Sequence, residues 1–109
     1  MSFYLYQGGY TSESTRNLTS NPQDRSVGAA KLAKSLGGKL HSFFMSFGKH
    51  DFAAIIELPD DEAAAAFSMT VASGGYISHM MTTKLLTPAE AMKAMARAGA
   101  SKIAPPKGK

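Results

Sequence analysis

The sequence predicts an α+β protein with the ferredoxin-like βαββαβ topology: a four-stranded antiparallel sheet with helices on one face, followed by a C-terminal helix. Three observations predict it. Strand-like and helix-like segments follow one another in that order along the chain. Residues 39–58 have the pattern of two apolar strands joined by a tight turn, which indicates a hairpin. Right-handed crossovers through the two helices then bring all four strands into one sheet.

The size and composition of the chain are those of one globular domain. It has 109 residues, of which 44% are hydrophobic and 18% charged, and a chain of this length buries about 65% of its unfolded surface. We expect the domain to span residues 1–99 and residues 100–109 to be a basic, disordered tail, since that segment has little to bury. The absence of cysteine excludes disulfides, thiolate chemistry and a Cys-ligated zinc site.

The net charge of +4 does not indicate a nucleic-acid partner. Lys102, Lys107 and Lys109 account for three of the 12 basic residues, so the rest of the chain carries nine against 8 acidic ones. A basic groove is therefore not expected. The N-terminus lacks the basic and apolar regions of a secretory signal, and no apolar run reaches the ~20 residues that span a bilayer. We expect a cytoplasmic protein with no membrane partner.

Residues 3–10 have the aromatic and aliphatic content of a first strand, and Gly8-Gly9 mark a bulge, a bend or the strand's end. The polar segment 11–21 is expected to be irregular, and its length suggests a binding loop. Arg16 is its only cation. That side chain is either a ligand contact or a solvated residue that tethers the loop.

The first helix is expected to begin at Asn21-Pro22. Asparagine caps free N–H groups and proline suits the first helical position, while Gly37-Gly38 end the helix. Lysines lie off its apolar stripe, which consists of Ala29, Leu32, Ala33 and Leu36.

The hairpin is predicted to turn at Lys49-His50. Symmetric pairing about a two-residue turn places Phe43, Met45 and Phe47 opposite Ile56, Ala54 and Phe52. Side chains alternate along a strand, so these residues share one apolar face, with His41 and Leu58 at its far end. The other face is mixed and carries Ser42, Phe44, Ser46, Ala53, Ile55 and Glu57.

The second helix is expected to start at Asp60, which caps it, and to end at Gly74-Gly75. Asp61 and Glu62 add negative charge to its first turn, where the helix dipole favours it. Residues three or four apart lie on one side of a helix. The buried seam is therefore predicted to be Ala63, Phe67 and Val71.

Residues 77–86 are predicted to form the fourth strand. Thr87, Pro88 and Glu90 then provide a cap, a proline at the first helical position and the glutamate of a capping box. The helix that follows is expected to run to about Ala98 and to end at Gly99, with Met92, Met95 and Ala96 on one side.

The sheet face without helices keeps apolar side chains. Phe44, Ile55 and an aromatic residue of the first strand, Phe3 or Tyr4, are expected there. An uncovered apolar patch usually marks an association surface. We therefore predict a homodimer that forms sheet to sheet through this open face.

Several segments carry a family resemblance: Tyr10-Thr11, Arg16-Asn17, the GGKL of residues 37–40, Phe43-Phe44, the GKHD of residues 48–51 and residues 57–66. Together they resemble the GYD-domain family, over roughly residues 3–88. The resemblance implies the dimeric α/β-barrel architecture, with a cleft between two sheets, and implies little about chemistry. Where the family usually has a tyrosine before the aspartate, this chain has His50, which titrates near neutral pH.

His50, Asp51 and Glu57 are the candidate catalytic residues. An imidazole beside a carboxylate can act as a general base, but Asp51 can equally bond turn amides. Glu57 is either an acid–base group in the cleft or a rim carboxylate paired across the dimer or with Lys39.

A second set of residues could contact a ligand in the cleft. It comprises Tyr4, Tyr6, Arg16, Ser42, Phe44, Ile55 and His79. Aromatic residues on such strands also serve as core, so both roles stay open for the tyrosines. The three histidines have no ligand-like spacing, and neither a nucleophile elbow nor a phosphate loop is present. We expect no metal and no cofactor.

Two functions fit these observations. The first is a homodimeric binding module for a small apolar or aromatic ligand in the cleft between the two sheets. The second is a small cofactor-independent enzyme, similar to the monooxygenases and isomerases of the same barrel, with His50 or Glu57 transferring a proton. Fold analogy alone is a weak reason for the second, since such scaffolds host unrelated functions.

Overall fold

The computed structural model describes residues 1–108 as an antiparallel sheet of four strands with helices on one face. The strand order is β2-β3-β1-β4, which confirms the predicted ferredoxin-like α+β fold. The elements are β1 (Ser2–Tyr10), α1 (Ser12–Ser20), α2 (Ser26–Ser35), β2 (Lys39–Met45), β3 (Phe52–Leu58), α3 (Asp61–Ser73), β4 (Ile77–Leu85) and α4 (Pro88–Ala100).

The core lies between the sheet and the helices α2 and α3. Alternate residues of the two central strands point into it, as the strand period of two requires. The predicted stripe of α2 is confirmed, with Ala33 fully buried. On α3, Phe67 is buried as expected, Ala64 is also buried, and Ala63 and Val71 pack against the core from its edge. The buried cluster consists of Tyr4, Tyr6, Ala33, Ala54, Ile56, Leu58, Ala64 and Phe67.

The segment after the first strand is a helix, so the predicted irregular loop is wrong. Thr11 caps α1, accepting a hydrogen bond from the Ser14 N–H, and Glu13 lies in its first turn. The Thr11 N–H and the Ser14 hydroxyl both bond the Tyr76 carbonyl, at 3.0 and 2.9 Å. These contacts with the start of β4 stabilise a helix whose serines and threonines have low intrinsic propensity.

The predicted start of the first long helix is also wrong. Asn21 ends α1, and α2 begins at Ser26, whose N–H and hydroxyl bond the Asp24 carboxylate at 2.9 and 2.6 Å. Arg25 occupies the cap position without a capping side chain. The link between the two helices therefore brings Arg25 close to the sheet's helix-covered face.

From Ser42 to Met45, β2 keeps its predicted faces but not its predicted register. Phe43 pairs with Ala54 and Met45 with Phe52, two residues away from the expected partners. The chain leaves the ladder after Met45, and Phe47, expected opposite Phe52, is 100% exposed. An irregularity between Leu40 and Ser42 adds one residue to β2, which moves His41 from the predicted apolar face to the open face beside Glu57.

The end of the chain follows the prediction with small shifts. Asp60 caps α3 and Thr87 with Glu90 forms the predicted capping box of α4. β4 ends one residue early, and α4 continues through Gly99, where it was expected to end. No residue of α4 is buried, and residues 101–108 contain neither helix nor strand. Part of the predicted tail, Lys109, lies outside the described residues.

Among the helices of residues 1–108, none combines the length and the apolar character needed to cross a bilayer.

Candidate functional site

The predicted site residues fall on both faces of the sheet and do not form one site. Tyr4 and Tyr6 lie in the core under the helices. Arg16 lies on α1, and His50 and Asp51 lie in the loop between β2 and β3. The side chains on the open face, according to burial and register, are those of Ser42, Phe44, Ile55, Glu57 and His79.

An apolar pocket lies on the helix side, between α2, α3 and the sheet. Its volume is about 230 Å³. Small residues at its wall, Gly28, Ala29 and Ala54, leave space between aromatic neighbours. Its lining is Tyr6, Tyr10, Arg25, Gly28, Ala29, Leu32, Phe43, Phe52, Ala54, Ile56, Phe67, Thr70, Val71, Gly74, Tyr76, Ile77 and Met80.

Aromatic rings shape this pocket and hold one another in place. Tyr6 contacts Phe67 with ring centroids 4.8 Å apart, and Phe43 stacks on Phe52 at 5.9 Å with an interplanar angle of 7°. Tyr10 also contacts Phe52, with ring centroids 5.5 Å apart. Offset and tilted contacts of this kind are favourable beyond the burial of area. The pocket wall thus contains aromatic rings that contact one another.

The hydroxyls of the two core tyrosines are used inside the fold. Tyr6 is 1% exposed, and its hydroxyl donates to the Ala64 carbonyl at 2.8 Å; burial raises its pKa. The Tyr4 hydroxyl donates to the Asp61 carboxylate at 2.6 Å. Burial and this bond raise the pKa of Tyr4 to about 12. Tyr6 therefore offers its ring to the pocket and keeps its hydroxyl away from it.

Asp61 accepts a second bond, from the Lys84 ammonium at 2.9 Å. The hydrogen bonds from Tyr4 and Lys84 lower the pKa of this carboxyl. The Tyr4–Asp61–Lys84 group ties β1, α3 and β4 together, which is a structural arrangement.

The mouth of the pocket carries two polar groups. Arg25 is exposed there, and the hydroxyl of Tyr10 donates to the Met45 thioether at 3.6 Å. Burial raises the pKa of Tyr10, the Arg25 charge acts against that rise, and Asp51 adds to it. Arg25 was missed by sequence analysis, because its place depends on where α2 begins.

His50 contacts His79 rather than the neighbouring Asp51. The His50 Nδ1 and His79 Nε2 atoms are 3.0 Å apart, and the His79 Nδ1 lies 3.1 Å from the Ser78 hydroxyl. Two facing ring nitrogens form a hydrogen bond only when one carries the proton and the other accepts it. The contact therefore links the hairpin loop to β4 as a hydrogen bond when one of these two nitrogens carries a hydrogen and the other does not.

Asp51 fixes the loop to the end of β1. Its N–H donates to the Gly8 carbonyl at 2.7 Å, and its carboxylate accepts from the Tyr10 N–H at 2.9 Å. Gly9 leaves room for the His79 ring, since a Cβ at Gly9 would lie 2.5 Å from the His79 Cε1. Gly8-Gly9, predicted as a bulge or bend, thus sit under this loop, with the register shift at Gly9/Tyr10.

Glu57 pairs with His41 on the open face, where the ring Nε2 lies 2.8 Å from the carboxylate. The His41 ring also contacts Phe3, with centroids 5.1 Å apart. The expected partner of Glu57, Lys39, is its neighbour across the strands. The residue that contacts Glu57 is instead His41, which the irregularity in β2 moves to the open face. In residues 1–108, no three His, Asp or Glu side chains are grouped so that they could hold a metal ion.

Comparison with known protein families identifies a match. The family model described as GYD domain matches residues 4–95. No curated protein is significantly similar to the chain.

Proposed function

We propose that this chain, which belongs to the GYD domain family, binds a small apolar or aromatic molecule in the pocket between α2, α3 and the sheet. The observation that carries this proposal is the apolar pocket of about 230 Å³, whose wall contains aromatic rings that contact one another. Ligand sites in proteins are concave, mainly apolar and lined by aromatic side chains with a few polar groups.

The volume of the pocket favours a ligand with about one ring. The space between the two helices and the sheet has a volume of about 230 Å³. An apolar cavity of about 150 Å³ already holds a benzene molecule. One substituted ring therefore fits.

Binding is favoured over proton-transfer catalysis because of what lines the pocket. Among the described residues that line it, none is a carboxylic acid or a histidine. The candidate catalytic residues lie elsewhere: Glu57 is paired with His41 on the open face, and His50 is paired with His79. Asp51 accepts the Tyr10 N–H in the hairpin loop. The pocket lining thus contains none of the three candidate catalytic residues.

The proposal includes a homodimer through the open face. Phe44 is 67% exposed there, and Met81 is also exposed. Phe3, Leu5 and Ile55 are only partly buried on the same side. A second copy of the sheet would cover this patch, whereas the ligand pocket on the opposite side stays accessible in each copy.

The pocket is tested by titrating a small ligand and by placing a larger side chain in it. Cinnamamide, an uncharged molecule with one ring, is titrated into the protein and followed by NMR chemical shifts and calorimetry. We expect it to bind, with shifts at Phe52, Phe67 and Met80. Val71→Phe places a ring in the pocket and should weaken binding at least tenfold.

Val27→Phe is the matched control, because it makes the same change on the exposed side of α2. It should bind cinnamamide like the wild type. The proposal fails if cinnamamide shifts no pocket residue, or if Val71→Phe and Val27→Phe bind it equally well.

A further inference from the structure

The mouth of the apolar pocket carries an arginine without an acidic partner. Arg25 lines the pocket and also the two grooves beside it. Its Nη1 donates to the neutral Gln23 amide oxygen at 3.3 Å. Within residues 1–108 the ion pairs are His41–Glu57 and Lys84–Asp61, so neither of the carboxylates held in them neutralises Arg25.

Tyr10 adds a second hydrogen-bond donor at the same mouth. Its ring forms part of the pocket wall against Phe52, and its hydroxyl donates to the sulfur of Met45 at 3.6 Å. A thioether is a weak acceptor, so a better acceptor would displace it at little cost. Tyr10 and Arg25 both line the pocket and one of the grooves beside it, so the two side chains border the same space.

The side chains of Arg25 and Tyr10 both present hydrogen-bond donors to this mouth. The carboxylate of Asp51 lies near Tyr10, but it accepts the Tyr10 N–H and is not part of the pocket lining. No Asp or Glu occurs among the described residues that line the pocket. The nearest acidic side chain along the chain, Asp24, is held by the N–H and hydroxyl of Ser26. A cationic ligand would meet the positive charge of Arg25, whereas an anionic one would gain a charge-assisted hydrogen bond from it.

We propose, on the basis of the function proposed above, that the ligand is a small aromatic or branched aliphatic carboxylate. Its apolar body occupies the pocket, and its carboxylate lies at the mouth between the Arg25 guanidinium and the Tyr10 hydroxyl. Arginine suits this role because its planar fork matches the two oxygens of a carboxylate. The other lining residues are uncharged, and they shield the apolar body of the ligand from water.

Cinnamate and cinnamamide separate the charge from the shape, because the two molecules differ only in the carboxylate or amide group. Both are titrated into the wild type and into Arg25→Gln, with calorimetry and NMR as readouts. We expect the wild type to bind cinnamate about tenfold more tightly than cinnamamide, which is the usual scale of a hydrogen bond to a charged group. Arg25→Gln should remove this preference and leave the affinity for cinnamamide unchanged.

Arg97→Gln is the matched control. It removes the same charge from the exposed surface of α4, so the general attraction of a basic protein for anions falls equally in both variants. It should keep the preference for cinnamate. Tyr10→Phe, which removes only the hydroxyl, should reduce that preference by a smaller factor than Arg25→Gln.

The possible results separate the two proposals. If neither compound binds, the pocket function is wrong. If both bind equally to the wild type, or if Arg25→Gln and Arg97→Gln change cinnamate binding by the same factor, the pocket function stands and the carboxylate assignment is overturned. Tighter binding of cinnamylamine than of cinnamate would overturn it as well.

Discussion

The two faces of the sheet are formed by the same strands, but helices cover only one of them. Ile56 points under the helices and is buried, whereas its neighbour Ile55 points to the open face and is only partly buried. Tyr4 and Tyr6 lie on the first face and Phe3 and Leu5 on the second. One face is closed by its own chain and contains the apolar pocket; the other leaves apolar side chains exposed, where we propose that a second copy binds. The alternation of side chains along the strands thus places the core and the proposed association surface on opposite faces of the sheet.

The first prediction compares the two isoleucines. Ile56→Ala removes a fully buried side chain and should lower the free energy of unfolding by about 3–4 kcal/mol. Ile55→Ala should cost the monomer about 1–2 kcal/mol, because only part of that side chain leaves water on folding. Urea denaturation at low protein concentration measures both. Equal losses would mean that the open face is as well packed as the core.

The second prediction concerns the open face as an interface. Phe44→Asp places a charge in the exposed apolar patch and should weaken self-association by about 2 kcal/mol or more, roughly thirtyfold. The monomer should remain folded, because Phe44 is 67% exposed. Sedimentation equilibrium measures the association, and Val27→Asp, on the helix side, is the control. A wild type that is monomeric at every concentration would exclude this interface.

The third prediction compares two glycines, Gly9 beneath the His50–His79 pair and Gly28 on α2. A Cβ at Gly9 would lie 2.5 Å from the His79 ring, so Gly9→Ala must displace that ring or the strand, at about 1–3 kcal/mol. The imidazole NMR signals of His50 and His79 should both change. At Gly28 a Cβ meets nothing within 4 Å, and Gly28→Ala should stabilise α2 by up to about 1 kcal/mol. Unchanged imidazole signals in Gly9→Ala would contradict the close approach of the His79 ring to Gly9.

The fold could be predicted from local pattern because each element carries its own signals. The alternation in β3, the stripe of α2 and the caps Asp60 and Thr87 were all present in the sequence. α1 was missed although Thr11 and Glu13 are a readable helix start, because its serines and threonines suggested a loop. Its stability comes from bonds to Tyr76, which lies far along the chain.

The site could not be predicted in the same way, because it depends on tertiary contacts. The hairpin loop is larger than a two-residue turn because Asp51 bonds Gly8 and Tyr10 on another strand. The pocket is a space between two helices, and its size depends on small residues such as Ala29 that look like ordinary helix formers in the sequence. His79 meets His50 only because the loop crosses the end of β1.

The fourth and smallest effect is expected at Tyr4, which connects the helix-covered face to the surface through Asp61. Tyr4→Phe removes one hydrogen bond and should cost about 1 kcal/mol at neutral pH. The pH dependence identifies the cause. The folded-state pKa of Tyr4 is raised from 10.0 to about 12, so its contribution to stability is complete below pH 10 and is lost as the pH rises toward 12.

Tyr4→Phe lacks that contribution, so its stability should fall less steeply than that of the wild type across this alkaline range. At acidic pH the lowered pKa of Asp61 gives the opposite dependence. The contribution of this carboxylate to stability is present above pH 3.8, the ordinary pKa value, and is lost as the pH falls below it. That acid loss should also be smaller in Tyr4→Phe, where only Lys84 still bonds the carboxylate. Urea denaturation across both ranges measures these slopes, with Tyr76→Phe, at an exposed tyrosine, as the control. Identical pH profiles for Tyr4→Phe and Tyr76→Phe would show that the Tyr4–Asp61 bond does not contribute to the stability of the closed face.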